Sequence, residues 1–238
     1  MKPRILIING SPRKYGAITK LLAIAEKGVR DAGGEPEKIF LYDHEIKECL
    51  GCVSDNGKYC RFPCLIKDDD FNAIAQKILE SDGFIIGTPL YWYTVSGRLK
   101  NFIDRLTSLE NMIFITGRSL LEGKIAGFIV SGNDSGSIMA IAYLMVTFNS
   151  MGVHIPGWAL AYHHSADDVL EDRQAVMDSY NVGYIVTKAA EMLRERKEWY
   201  QVYNNLDELV KIGKQEAEKY IEQKWQRTNL FEQELKKQ

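Results

Sequence analysis

The stretch from Arg4 to Gly16, Arg-Ile-Leu-Ile-Ile-Asn-Gly-Ser-Pro-Arg-Lys-Tyr-Gly, constrains the fold more than any other part of the chain. Its first half is a short apolar run that reads as a buried strand. The run breaks at Gly10-Ser11-Pro12-Arg13, and apolar residues then recur at helical spacing at Ile18, Leu21, Leu22 and Ala25. A strand passing through a tight loop into a helix leaves backbone N–H groups unpaired at the positive end of the helix dipole. That is a natural seat for a phosphate. Ser11, Thr19 and the Arg13 guanidinium add side-chain donors, and an arginine can grip a phosphate with two hydrogen bonds. The competing reading is an ordinary strand-to-helix turn.

Strand and helix signals alternate beyond this unit. Arg4–Ile8 is strand one, followed by a helix over about 17–32 that Gly33-Gly34 terminates. A second strand is expected over 37–42, a helix from the Asp68-Asp69-Asp70 run to Glu80, and a third strand over 83–87. Helix 97–106, strand 124–130, helix 137–150, strand 153–160 and helix 171–195 complete the series. Five strands with intervening helices predict an α/β fold: a doubly wound five-stranded parallel sheet with right-handed crossovers. Ligands in such sheets bind beyond the carboxyl ends of the strands, which directs attention to the loops at 9–16, 88–97 and 131–137.

The chain has 238 residues, which suits one large domain or a domain with an appendage. We expect a domain over 1–193 and a helical C-terminal extension over 194–238, where charged residues interleave with Trp199, Tyr200, Tyr203, Tyr220, Trp225 and Phe231. That extension either packs on its own subunit or embraces a second one; an aromatic stripe on a terminal helix favours an oligomer contact, a homodimer or homotetramer. A formal net charge of −2 gives no electrostatic reason to expect nucleic acid. The apolar runs are too short to span a membrane and no signal-peptide core opens the chain, so a cytoplasmic protein is expected.

The second loop reads Gly87-Thr88-Pro89-Leu90-Tyr91-Trp92-Tyr93-Thr94. Three consecutive aromatics cannot all face a core, and they suit the wall of a flat, conjugated ligand. The third loop, Ser131-Gly132-Asn133-Asp134-Ser135-Gly136, is small and polar and lets backbone approach a ligand closely.

Gly10-Ser11-Pro12-Arg13 with Gly16, followed by Thr88-Pro89-Leu90-Tyr91-Trp92 and Gly97-x-Leu-Lys-x-Phe-Ile-Asp-Arg, resembles the flavodoxin-like NAD(P)H-dependent FMN reductases, a group that includes the iron-sulfur flavoproteins. The resemblance spans about 4–165. It implies a flavodoxin-like sheet with FMN as cofactor: phosphate on Ser11, Arg13, Gly16 and the helix start, ring along Pro89, Leu90, Tyr91, Trp92 and Tyr93, closure by Ser131, Gly132, Asn133 and Ser135. The family carries Asn-Thr where this chain has Ala17-Ile18, so Thr19 takes the hydroxyl role one position later. The implied activity is transfer of reducing equivalents from NAD(P)H through FMN to a small acceptor such as free flavin or a quinone. Hydride transfer to a flavin needs no acid or base from the protein, so no catalytic side chain is named. No Gly-x-Gly-x-x-Gly fingerprint is present.

All four cysteines lie in the segment 43–67, which shows no sustained period and reads as a long functional loop. Cys49, Cys52, Cys60 and Cys64 could hold a [4Fe–4S] cluster or a zinc ion, or remain metal-free thiols. Iron-sulfur flavoproteins carry a cysteine cluster at this place, which implies an alternative function, an electron carrier served by ferredoxin. Asp55 stands where that pattern expects its third cysteine. A redox-sensing module is the remaining rival. His163-His164 near Asp167-Asp168 is a tempting metal set. Neighbours on an extended segment point to opposite sides, however, so a surface or interface role is expected for the pair.

Overall fold

The computed structural model describes residues 1–194, 200–201 and 204–237. Five strands form one parallel sheet: β1 (Arg4–Asn9), β2 (Glu35–Phe40), β3 (Gly83–Pro89), β4 (Ile125–Gly132) and β5 (Leu160–His164). Their spatial order is β2-β1-β3-β4-β5. Strand order therefore reverses between β1 and β3, where loops leaving in opposite directions open a crevice. In register, Asn9 stands beside Gly87 and Pro89 beside Ser131, so the first three loops leave the sheet at one level.

The helices are α1 (Ala17–Asp31), α2 (Phe71–Glu80), α3 (Gly97–Arg105), two single turns α4 (Thr107–Glu110) and α5 (Ile113–Thr116), α6 (Ser137–Ser150), α7 (Arg173–Leu193), α8 (Leu206–Glu218) and α9 (Ile221–Leu235). Side-chain alternation along the strands divides the core into two layers. Leu6, Ile8, Phe84, Ile86 and Phe128 face α2, α3 and α6. Ile5, Ile7, Ile85, Ile129 and Ala161 face α1 and α7. Those two helices cross at Gly28 and Gly183, where a Cβ on Gly183 would lie 1.9 Å from the Ala25 carbonyl oxygen.

The chain divides into two compact units, Met1–Tyr200 and Gln201–Gln238. The second holds α8 and α9; Tyr220 between them and Trp225 and Phe231 on α9 are exposed. Trp199 and Tyr203 lie outside the described residues. No described helix is long and apolar enough to cross a membrane.

The fifth strand departs from expectation. Over 153–159 the chain makes one isolated bridge to β4, His154 beside Ile125, and then turns through Pro156, Gly157 and Trp158, the last at φ 61°. Pairing resumes at Leu160 and runs to His164. A proline cannot donate to a ladder and a left-handed residue cannot continue one, so the strand starts after both. Helix α7 begins at Arg173 because Asp172 caps it, its carboxylate accepting from the amides of Gln174 (3.1 Å) and Ala175 (3.0 Å).

Candidate functional site

A cleft of about 690 Å³ opens at the carboxyl edge of the sheet, within the usual range for small-molecule sites. Its walls come from the loops after β1, β3, β4 and β5. Ser11, Arg13, Gly16, Pro89, Leu90, Tyr91, Trp92, Tyr93, Ser131, Gly132, Asn133 and Ser135 all line it.

The first wall is built by hydrogen bonds that shape the β1–α1 loop. Asn9 in the last position of β1 accepts the Ser11 amide (2.8 Å), and the Ser11 hydroxyl accepts the Arg13 amide (3.2 Å). Gly16 caps α1 without a side chain, and the amides of Ala17 and Ile18 have no partner among the described residues. Arg13 is exposed and carries no ion pair among the described residues. Free amides at a helix start beside a free guanidinium form a cationic concavity for an anion. Thr19 is not part of that surface: its Oγ1 accepts from Asn9 Nδ2 at 2.9 Å, so it braces the loop from behind.

The second wall is strained. Tyr91 and Thr94 exchange backbone hydrogen bonds of 2.9 and 3.1 Å, closing a tight turn with Trp92 at φ 49° and Tyr93 at φ 65°. Two consecutive positive φ values are ordinarily the province of Asn-Gly, and bulky residues there cost about 1–3 kcal/mol each. Trp92 recovers little of this by packing, being 92% exposed. The turn is held rigidly from below: Ser96 accepts no rotation, since its hydroxyl donates to the Gly10 carbonyl (2.6 Å) and its amide donates to Thr88 Oγ1 (3.1 Å). The Leu90 amide donates to the Ser131 carbonyl (2.8 Å), tying this wall to the third.

The fourth wall, Ser165 to Val169 with His163, follows from where β5 really lies. Lys20 in the first turn of α1 pairs with Asp168 at 2.7 Å, bridging this wall to the first. That lysine, with the backbone N–H of Leu170, holds the Asp168 carboxyl below its ordinary range. His163 and His164 do point to opposite sides. Only His164 is exposed, whereas His163 is buried with its Nδ1 2.9 Å from Asp172, so the surface role expected of the pair does not apply to it. The alternation is in burial and not in residue type, since the inward positions of β5 are Ala161 and His163, so only the turn-rich Ser-Ala-Asp-Asp that follows was legible.

The cysteine loop is clamped to α2 and α3 rather than to the cleft. Asn72 binds Cys64 through its amide and carbonyl (2.8 and 3.1 Å), and Asn111 Nδ2 donates to the Cys60 carbonyl (2.6 Å). Arg105, fully buried, pairs with equally buried Asp69 and lies 4.3 Å over the Phe71 ring. Burial, reinforced by the nearby Cys52, pushes the Cys60 thiol up to about 12. Among the described residues no three Cys, His, Asp or Glu side chains converge as a metal site. Cys52, Cys49 and Cys64 all act on the Cys60 thiol, Cys52 through a side-chain hydrogen bond, so the four cysteines that the sequence offers as ligands share one neighbourhood, with Asp55 at the third position of the expected pattern.

The fold and cleft define a protein of flavodoxin-like architecture with a small-molecule cleft at the carboxyl edge of its sheet. Residues 3–167 match the NADPH-dependent FMN reductase family, and the chain belongs to that family, whose cofactor is FMN. It is 30% identical to a putative NAD(P)H-dependent FMN-containing oxidoreductase, YwqN, of Bacillus subtilis over 73% of this chain and 92% of that protein. It is 43% identical to an iron-sulfur flavoprotein of Archaeoglobus fulgidus over 102 residues, 43% of this chain and 48% of that one. A second protein of that name from the same organism is matched over 66% of its length, so the chain spans about half to two thirds of these relatives. The solved structure of RosB with bound 8-demethyl-8-formylriboflavin-5′-phosphate superposes with a TM-score of 0.68 at 21% identity, covering 90% of this chain and 87% of that one.

Proposed function

We propose that the cleft seats FMN and that the protein passes reducing equivalents from NAD(P)H to a small acceptor, a free flavin, a quinone or a similar electrophile. The strained Trp92-Tyr93 turn carries this reading. It faces an anion seat across one cleft, and strain at a rigidly supported, solvent-facing aromatic pair marks a surface kept for a ligand. The donor set fits a flavin mononucleotide: free Ala17 and Ile18 amides and the Arg13 guanidinium for a dianion, and an aromatic wall for a planar ring. When bound, FMN supplies the hydride chemistry. The chain's own residues seat the phosphate, orient the ring through Pro89–Tyr93 and shield one side with Ser131–Ser135. Trp92 and Tyr93 stay exposed enough for a nicotinamide and then an acceptor to stack beside them.

A homodimer or homotetramer is part of the proposal. One face of α6 buries Ile141, Leu144 and Phe148 in the core, yet Ile138, Met139 and Val146 on the same helix are exposed, which suits cover by a second copy. Light scattering of the purified protein tests this; a monomer at micromolar concentration defeats it.

Titrating apo-protein with FMN and riboflavin tests the cofactor site. Wild type should bind FMN, and Arg13→Ala should weaken FMN by about 10- to 100-fold, the loss of a charged hydrogen bond, with riboflavin little changed. Equal weakening of both flavins would sink the phosphate assignment. Steady NADH or NADPH oxidation with a quinone or free FMN tests the activity. The names of the archaeal relatives favour a second reading, an electron carrier with a cysteine-held cluster. About four irons per chain after anaerobic purification, with negligible NAD(P)H oxidation, would establish it instead.

A further inference from the structure

His163 is a cleft residue whose chemistry the reading above leaves unused. It lines the cleft, is only 3% exposed, and shares the sheet face of Ala161, which packs towards α1 and α7. Its Nδ1 lies 2.9 Å from the Asp172 carboxylate. That carboxylate is itself fixed by the Gln174 and Ala175 amides at the start of α7; the Ala175 amide first, and then His163, hold it below the ordinary Asp range. An ionised carboxylate accepts only, so Nδ1 carries a proton, and the tautomer and ring plane are set. The backbone is fixed as well, because Ser137 Oγ donates to the His163 carbonyl at 2.8 Å. Nε2, the other end of the ring, is buried with no hydrogen-bond partner among the described residues.

Holding an imidazole by one nitrogen while leaving the other bare in the interior costs stability, and polar atoms so placed are normally satisfied. The arrangement makes sense when a ligand completes it. We propose that His163, oriented by Asp172, positions the sugar-phosphate arm of FMN by hydrogen bonding it through Nε2. This rests on the FMN reading above. The arm is favoured over the ring by location: β5 is the edge strand, and the loop that follows it is bridged by Asp168 to Lys20, in the first turn of α1 beside the free Ala17 and Ile18 amides. A neutral imidazole accepts from a ribityl hydroxyl, and a protonated one donates to the phosphate.

Asparagine and glutamine separate the two ends of the ring. The amide of His163→Asn reaches the Nδ1 position and keeps the Asp172 bond but offers nothing at Nε2. His163→Gln reaches the Nε2 position and gives up Asp172. Binding of FMN, riboflavin and lumiflavin, which lacks the arm, is measured for each by flavin fluorescence, with thermal melts recorded alongside. His163→Asn should weaken FMN by about three- to tenfold, leave lumiflavin unchanged and melt near wild type, and His163→Gln should recover part of the FMN affinity. Riboflavin weakening in step with FMN assigns the contact to a hydroxyl; riboflavin unchanged assigns it to the phosphate. Wild-type FMN affinity in His163→Asn, or equal weakening of lumiflavin, overturns the proposal. If the unaltered protein takes up no flavin, the cofactor reading itself has failed.

Discussion

The crossing of α1 and α7 is where a single atom should have the largest measurable consequence. The two helices carry opposite walls of the cleft, Gly16–Lys20 at the start of one and the segment leading to Asp172 at the start of the other. At Gly183 an added Cβ would stand 1.9 Å from the Ala25 oxygen, 2.8 Å from the Ala25 carbonyl carbon and 3.0 Å from the Val29 nitrogen. Ordinary contact begins at 3.4 Å, so Gly183→Ala must separate the helices by 3.4 − 1.9 = 1.5 Å. All three obstacles are backbone, which cannot step aside as a flexible side chain would. Two effects compete. Alanine gains about 1 kcal/mol of helix propensity over glycine. Overpacking costs about 1–3 kcal/mol, and a displacement of this size against backbone belongs at or above the top of that range. Overpacking wins by about 2 kcal/mol, which for a chain this long lowers Tm by about 4–8 °C. Differential scanning fluorimetry reads it directly, with Gly97→Ala as the control, since nothing lies within 4 Å of a Cβ there. A Gly183→Ala protein that melts at or above wild type would show that the helices are not in backbone contact.

Trp92→Gly removes a bulky residue from φ 49° and should raise the Tm of the apo-protein by about 2–4 °C while weakening FMN binding; unchanged affinity would exclude Trp92 from the flavin wall. Asp69→Ala strands the Arg105 cation in the core and should cost about 3–5 kcal/mol in urea denaturation, a loss under 1 kcal/mol being incompatible with a fully buried pair. Iodoacetamide mapping at pH 8 should modify exposed Cys49 first and Cys60 last, because Cys60 is buried and its thiol is pushed up to about 12. The same elevation makes the Cys60 contribution to stability constant below its ordinary value of 9.0 and lost as pH rises from there towards 12, where the unfolded thiol ionises first. Cys60→Ala should flatten that alkaline decline, and a slope identical to wild type would contradict it.

The strand-loop-helix unit, the apolar strands and three of the four cleft loops were legible because each is a local matter. An apolar, β-branched run of five or six residues is too short for a buried helix, and Gly10-Ser11-Pro12 marks its end, so length and turn chemistry together favour a strand. The β2 strand slipped by two residues, from 37–42 to Glu35–Phe40, because Leu41 is buried by a 3₁₀ turn rather than by the sheet. The fifth strand was displaced further, and with it the wall at 165–169 and the role of His163. Val153 is apolar and buried in the α6-side core, so it imitates a strand residue while the pairing begins after Trp158.

Composition and spacing alone determined an alternating α/β chain with a phosphate-shaped first loop and an aromatic second one, since hydrophobic period and turn chemistry act between near neighbours. Only the folded molecule decided which donors face the cleft. Thr19 was withdrawn to brace Asn9, His163 was turned inward and tethered to Asp172, and the backbone of Cys60 and Cys64 was pinned by Asn111 and Asn72 near a buried ion pair. The contacts at those positions are made with partners 8 to 51 residues away along the chain, and no local pattern encodes them.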